Sequence, residues 1–430
     1  MILRQKAHSF VQRAARKSII AAALGMALVS MKPALAAADE RLLQAARAEQ
    51  DAVIASLKDM VNIESPSADA QGIARMADYT ERRLKELGAK VDRRNSTTGP
   101  GQIVIGTLKG TGSKRLMLIA HMDTVYPKGI LASQPYRVEG NRIYGPGIAD
   151  DKGGIAVILH GLKMLNDAGW KDYATITVLF NSDEEVGSVG SGELIANLAA
   201  EHDVVFSCEP SAIKPEILLL GAAGTGKVTM QVRGKSAHAG ANPELGRNAL
   251  LEMSHQLIRT QDAAKAVPGT QMNWTMAQAG RVVNQIPESA TATADMRLTV
   301  SDGFERLERE LKERVKTPVI PDTVTEISIE RGRPPFVASP ASREFAAQGQ
   351  AVYAEMQREL TLLPMTGGAT DAGFAARSGK AIVVESFGLA GAGYHARDEF
   401  ITVDAIVPRL YLLARMLQQA GLMKTGGPAK

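Results

Sequence analysis

Only one cysteine, Cys208, occurs in this 430-residue chain. An intramolecular disulfide is therefore excluded, and so is a zinc cluster built from several thiolates. Cys208 closes the apolar run 204–208, so a buried structural thiol is preferred over a nucleophile. Any zinc must then be held by histidines and carboxylates, a ligand set that goes with catalytic rather than structural sites. Aromatic residues are scarce, at 4% of the chain against 45% hydrophobic residues, so the core must be largely aliphatic. The length allows two domains, each with its own core.

Long apolar runs are also missing. Residues 18–30 are apolar but too short to span a bilayer comfortably. They follow a basic stretch (Arg4, Lys6, Arg13, Arg16, Lys17) and precede Ala34-Leu35-Ala36, an Ala-x-Ala cleavage pattern. Residues 1–36 are read as a secretory signal peptide, with a retained anchor as the alternative. Residues 1–36 hold no adjacent arginine pair, which favours general secretion. The expected location is periplasmic or secreted, with no stable membrane association once the signal is removed. The charge excess leaves with it. Residues 1–36 hold six Lys/Arg and no Asp or Glu, so 50 basic against 46 acidic residues becomes 44 against 46, a net charge of −2. The basic balance of the full chain is no sign of nucleic-acid binding.

Three short apolar runs end in polar groups suited to a cation. Residues 116–120 precede His121-Met122-Asp123, residues 176–180 precede Asp183-Glu184-Glu185, and residues 204–206 precede Glu209-Pro210. Parallel strands of an open α/β sheet deliver the residues at their C-terminal ends to one edge. Carboxylates pooled there repel one another unless a divalent cation intervenes. The His-x-Asp spacing lets the imidazole bind metal while Asp123 holds its other nitrogen; a chance surface pair is the plain alternative. Asp150-Asp151-Lys152-Gly153-Gly154 reads as a helix N-cap, and Asp150 becomes a candidate carboxylate bridging two cations. In the acidic triplet, one Glu can serve a metal and leave its neighbour free to move protons; a solvated acidic turn is the alternative.

The remaining histidines divide. His8 is lost with the signal, and His160, His202 and His255 are read as structural. His395 lies in a Gly-rich loop, and His238 sits among small residues in Gly234-Lys235-Ser236-Ala237-His238-Ala239-Gly240. The run Gly221-Ala222-Ala223-Gly224-Thr225-Gly226-Lys227 mimics a phosphate-binding loop. It is followed by Val228 instead of a hydroxyl and by an alternating strand instead of a helix, so nucleotide binding is rejected.

Helices are expected at 40–62, 70–89, 153–168 and 192–200, with strands at 103–108, 115–120, 174–181 and 203–208. This alternation implies an α/β domain with a mixed central sheet covered by helices. After Gly224 the order becomes β-α-β-β-α-β, with strands at 227–232, 271–279, 289–299 and 323–330 and helices at 245–259 and 304–315. That order suits a small two-layer α+β domain. Pro334-Pro335 breaks the chain, and a strand at 382–385 and a helix at 403–420 come after it. The expected organisation is a discontinuous main domain (39–222 and 335–424) interrupted by an inserted one (223–334).

On three motifs the chain resembles the M20 family of zinc metallopeptidases, and within it the bacterial glutamate carboxypeptidases. They are His121-Met122-Asp123-Thr124-Val125-Tyr126, the stretch from Tyr144-Gly145-Pro146-Gly147 through Ile148-Ala149-Asp150-Asp151-Lys152-Gly153-Gly154, and Ser236-Ala237-His238-Ala239-Gly240. The resemblance spans residues 40–422. It implies a catalytic dizinc domain with an inserted dimerisation or lid domain. It places His121, Asp150 and Glu209 around one zinc, and Asp150, Glu185 and His395 around the other. Cobalt or manganese could replace zinc. Glu184 would be the general base and Asp123 the orienter of His121. His238, from the partner subunit of a homodimer, would stabilise an oxyanion. Arg297 and Arg333 would hold the substrate's C-terminal carboxylate, with Asn284 nearby.

The implied activity is hydrolysis of the amide bond to a C-terminal amino acid, glutamate favoured, in peptidyl, N-acyl or folate-like substrates. The chain departs from the glutamate enzymes at Ile217-Leu218-Leu219-Leu220, where they carry polar and basic residues. An apolar lining disfavours a second carboxylate. This keeps open an aminoacylase or dipeptidase preferring an apolar amino acid. A non-catalytic binding protein is disfavoured because every ligand position and the base are filled.

Overall fold

The computed structural model describes residues 37–424, so the expected signal peptide lies outside the described residues. The main sheet has six strands in the order Lys90–Asn95, Gln102–Lys109, Thr175–Asn181, Arg115–His121, Val204–Ser207 and Ile382–Val384. The first two junctions are antiparallel and the last three parallel, which makes the sheet mixed. Every residue of Thr175–Asn181 is buried, as a central strand covered on both sides requires. Four parallel strands therefore end along one edge.

Helices Glu40–Val61, Lys152–Asp167 and Ile406–Gly421 pack on one another, and Ala70–Glu86 lies against Gln102–Lys109. Asp39 caps the first helix, accepting from Leu42 N at 3.1 Å. Its apolar residues return every three to four positions, so Leu42, Ala46, Val53, Leu57 and Met60 face the core. Each of the Leu, Val and Met side chains stabilises the fold by roughly 1.5–3 kcal/mol relative to exposure, and Ala46 by less. Cys208 is fully buried, and that burial pushes its thiol pKa well up; it is a core residue.

Differences from the expected elements have local causes. The second helix stops at Glu86, short of residue 89, because Gly88 turns the chain at φ +82°. The chain then enters the edge strand Lys90–Asn95, whose charged sequence carries no strand signal. The helix expected from 245 begins at Ala249, capped by Asn248, whose side chain accepts from Leu250 N and Leu251 N. The last helix starts at Ile406 after a tight turn over Val403–Ala405.

Within 223–334, four antiparallel strands run in the order Thr270–Ala279, Ser289–Leu298, Gly224–Arg233 and Val324–Arg331. With Ala249–Thr260 and Gly303–Val315 they enclose a separate core that includes Val228, Met230, Met253, Met296, Leu307, Leu311 and Ile327. The two links to the main body run side by side. Thr225 N donates to Arg333 O at 2.9 Å, and Gly332 N donates to Thr225 O at 2.9 Å. Lys227 lies inside Gly224–Arg233, so no helix follows the glycine-rich run that mimics a phosphate loop.

Glu216–Leu219 pairs in parallel with Leu360–Leu363. Leu218 is fully buried in the main core, so it cannot line a substrate site. Ile217 and Leu219 point to the opposite face, by the period of a strand.

Candidate metal centre and active site

The parallel strand ends bring the first groups together. His121 closes its strand, in register with Asn181. Glu184 and Glu185 follow Thr175–Asn181 in a short 3-10 turn, and Glu209 lies just beyond Val204–Ser207. Asp150 arrives at the N-terminus of Lys152–Asp167. That helix packs close to the third strand end because Gly154 has no side chain. A Cβ there would sit 2.1 Å from Cys208 O. The Asp150–Asp151 peptide bond is cis.

His121 Nε2 lies 2.9 Å from Asp150 Oδ1 and 3.9 Å from Glu209 Oε1. His395 Nε2 lies 3.3 Å from Asp150 Oδ2 and 3.2 Å from Glu185 Oε2. Asp150 thus sits between two histidines, one oxygen toward each. Ligand atoms of His121, Asp150 and Glu185 fall within 4.8 Å of one another, as do those of His121, Asp151 and Glu209. Asp151 is committed elsewhere. It accepts from Gly154 N at 3.1 Å and from His121 N at 3.2 Å, so it caps the helix and fixes the strand end.

The electrostatics call for a cation. Burial drives the Glu209 pKa well up, and nearby Asp150 and Glu184 drive it further. Burial lowers the His121 pKa, but Asp123 and Asp150 outweigh it and hold the ring well above its usual value. The Asp150 carboxylate next to His395 raises that imidazole to about 10. Glu185 Oε1 is buried and has no hydrogen-bond partner among the described residues. Protons and histidine charge here neutralise crowded carboxylates. Divalent cations bound by the same oxygens and ring nitrogens fit this donor set.

Asp123 is fully buried and organises the centre. Its Oδ1 accepts from Glu184 N at 3.2 Å, and its Oδ2 accepts from Glu185 N at 3.1 Å and Ser67 Oγ at 2.7 Å. Its Oδ1 is also 3.4 Å from His121 Nδ1, whose nearer neighbour is Asp123 O at 3.0 Å. One carboxylate therefore orients both the imidazole and the acidic turn. Asp183, first of the triplet, turns away and accepts from Gly190 N at 2.6 Å and Ser191 Oγ at 2.5 Å.

Burial raises the Glu184 pKa well above normal, and the Arg333 guanidinium opposes that shift. Arg333 Nη2 lies 2.9 Å from Glu184 Oε1, and its Nη1 donates to Ala369 O at 3.1 Å. Its Nε has no hydrogen-bond partner among the described residues. The other candidate substrate residues lie apart from this cluster. Arg297 is exposed and pairs with Asp295 at 3.1 Å. His238 and Asn284 are neighbours at a short antiparallel ladder of Ala237–His238 with Gln285–Ile286, where Ala239 N donates to Asn284 O at 2.9 Å. His238 Nδ1 accepts from Gly240 N and Ala241 N, both at 3.1 Å, so the neutral ring carries its proton on Nε2.

Sequence reasoning passed over four groups around the centre. Glu399 binds the loop that carries Asp150. Asp371 accepts from Asn181 Nδ2 at 2.7 Å and from Ser188. Glu385 is fully buried beside Thr370, and Lys152 donates to Ile63 O and Pro146 O. Glu385 and Glu399, flanking the strands Ile382–Val384 and Phe400–Thr402, carried a faint signal, while Asp371 and Lys152 stand in glycine-rich segments that read as turns or caps.

The sequence profile of peptidase family M20/M25/M40 matches residues 117–419. The chain belongs to this family. Carboxypeptidase G2 of Pseudomonas sp. (strain RS-16) is 45% identical over 410 residues, covering 95% of this chain and 99% of that protein. The fold of this M20 chain matches that of the aminopeptidase PepT from Bacillus cereus ATCC 10987 with a TM-score of 0.71, at 20% identity, covering 86% and 98% of the two chains. It also matches the YXEP protein of Bacillus subtilis, described as a dinuclear metal binding peptidase of the M20 family. There the TM-score is 0.64 at 15% identity, covering 88% and 99%. The expected α/β architecture with a mixed sheet and a family-type lid unit agrees with these relatives, as does a metal-dependent amidohydrolase.

Proposed function

We propose that this M20 chain is a secreted dizinc carboxypeptidase that hydrolyses the amide bond to a C-terminal glutamate in peptidyl, N-acyl or folate-like substrates. The observation that carries the reading is the placement of Asp150 between His121 and His395, with Glu209 and Glu185 flanking and Glu184 adjacent. The extent of identity to carboxypeptidase G2 supports glutamate. When bound, a pair of zinc ions supplies Lewis acidity toward the scissile carbonyl and makes water nucleophilic near neutral pH. His121, Asp150 and Glu209 would hold one ion, and Asp150, Glu185 and His395 the other; cobalt or manganese fits the same donors.

Glu184 takes the proton of the attacking water and passes it to the departing amine. Its buried setting, which favours the protonated form, suits the second transfer. Arg333 lies beside it with Nε unengaged, and a guanidinium in that position binds the terminal carboxylate that an exopeptidase must recognise. In the 223–334 unit, Leu250, Leu251 and Ile258 on one helix and Met276 on the edge strand are exposed. These favour a homodimer through that unit, with Arg297, Asn284 and the proton on His238 Nε2 offered to a partner's substrate. The apolar character of 217–220 supports the second reading, an aminoacylase or dipeptidase for apolar residues.

Two measurements test this. Glu184→Gln is expected to retain zinc and lose hydrolysis by at least about 100-fold; unchanged turnover overturns the mechanism. Comparing N-acyl-glutamate with N-acyl-leucine decides between the two substrate readings.

A further inference from the structure

We infer that Glu399 is a positioning residue that locks the bridging Asp150 and the His395 loop into one unit, and that the metal site completed by His395 depends on it. The inference rests on the proposed dizinc reading. Phe400–Thr402 pairs antiparallel with Arg142–Tyr144. At Glu399 this ladder continues by other means. Its main-chain oxygen accepts from Gly145 N at 3.2 Å. Its carboxylate then accepts from Gly147 N at 2.7 Å, Ala149 N at 2.8 Å and Asp150 N at 3.0 Å. Glu399 is 1% exposed. Three N–H groups of the Asp150 loop, those of Gly147 and Ala149 in buried bonds and that of Asp150 in a part-buried one, thus find their acceptor in one side chain.

The same residue stands four positions after His395. That loop is pinned at its other end by Gly391–Ala392, which pairs with the strand Phe400–Thr402. Tyr126 Oη donates to Ala396 O at 2.9 Å inside it. His395 itself holds a left-handed backbone (φ +63°), which a non-glycine residue keeps only where its surroundings impose it. Glu399 is the only side chain among the described residues that bonds the backbone N–H of Asp150 while belonging to the loop of the second histidine. His121 and Glu209 hang from strand ends, so their site shares this support only through Asp150, whereas the other site depends on it through both Asp150 and His395.

The consequence is asymmetric. A change at Glu399 weakens the site that uses His395 more than the site that uses His121 and Glu209. Glutamine keeps the shape but turns an amide donor toward N–H donors. Aspartate keeps the charge with a shorter reach.

The test titrates zinc into metal-free wild type, Glu399→Gln and Glu399→Asp by calorimetry, with circular dichroism as the fold control. Wild type binds two ions. Glu399→Gln is expected to keep one near wild-type affinity and to bind the other ~10–100-fold more weakly, the range for residues that orient metal ligands. Glu399→Asp is expected to recover part of the loss. Two unchanged affinities in the variants overturn the inference and leave the dizinc reading intact, as does equal weakening of both. Fewer than two ions on wild type overturns the dizinc reading instead. Should Glu399→Gln not fold, the same split in Glu399→Asp decides.

Discussion

Replacing Asp123 by asparagine tests how the acidic turn is held. Three donors converge on its two oxygens: Glu184 N, Glu185 N and Ser67 Oγ. An asparagine offers one oxygen and one amide, so in either orientation at least one buried backbone N–H faces a donor. Leaving a buried donor unsatisfied costs about 1–3 kcal/mol. The remaining bonds lose their charge assistance, which removes roughly half their strength, about 1 kcal/mol together. The expected loss is about 2–4 kcal/mol. Ser67→Ala removes one partly exposed bond and sets the lower reference at about 0.5–1.5 kcal/mol. Urea unfolding of the metal-free proteins with linear extrapolation measures both. Turnover of the zinc-loaded Asp123→Asn enzyme should fall ~10–100-fold, because the backbone of the base and its neighbouring ligand loses its anchor. If Asp123→Asn unfolds within about 0.5 kcal/mol of wild type, the three bonds do not carry the turn and the reasoning is wrong.

Three other outcomes are expected of the same structure. Burial pushes Glu385 up to about 7, so the folded state holds its proton more tightly than the unfolded chain. Its contribution is present below about pH 4.5 and is lost as pH rises through about 7. Stability of wild type relative to Glu385→Gln should fall by about 3 kcal/mol over that window, and parallel pH curves would refute it. Leu218→Ala should lose about 2–5 kcal/mol, as for a buried core leucine, with little change in substrate preference; a preference shift without destabilisation would place Leu218 in the site. Arg333→Ala should raise KM far more than it lowers kcat for substrates with a free terminal carboxylate; equal effects on a carboxamide substrate would remove Arg333 from carboxylate recognition.

Much of the centre was legible because it hangs from periodic elements. His121, Glu184, Glu185 and Glu209 follow buried apolar strands, and once those strands are parallel their ends must meet. The β-α-β-β-α-β order of the insertion was legible for the same reason. What stayed hidden depends on contacts across the chain. Nothing in Asp183-Glu184-Glu185 reveals that the first acid caps the turn at Gly190 while the others face the cluster. Asp150-Asp151 likewise gives no hint which carboxylate caps the helix. Glu399 sits in Arg397-Asp398-Glu399, the composition of a solvated turn, and its role exists only when the Asp150 loop folds over it. The apolar segment at 217–220 gives no hint in sequence of its placement: Leu218 and Leu220 join the main core, Leu219 is buried, and Ile217 is half-buried.

The side-by-side links at Thr225 and Arg333 make the insertion a replaceable cartridge. Every metal-binding candidate belongs to the body outside it, while Arg333 stands at its exit and His238, Asn284 and Arg297 lie within. A different cartridge, spliced at the same two adjacent points, leaves the metal-binding candidates untouched and, on the proposed function, changes what is presented to them. In such an architecture, hydrolytic chemistry and substrate choice can diverge on separate schedules.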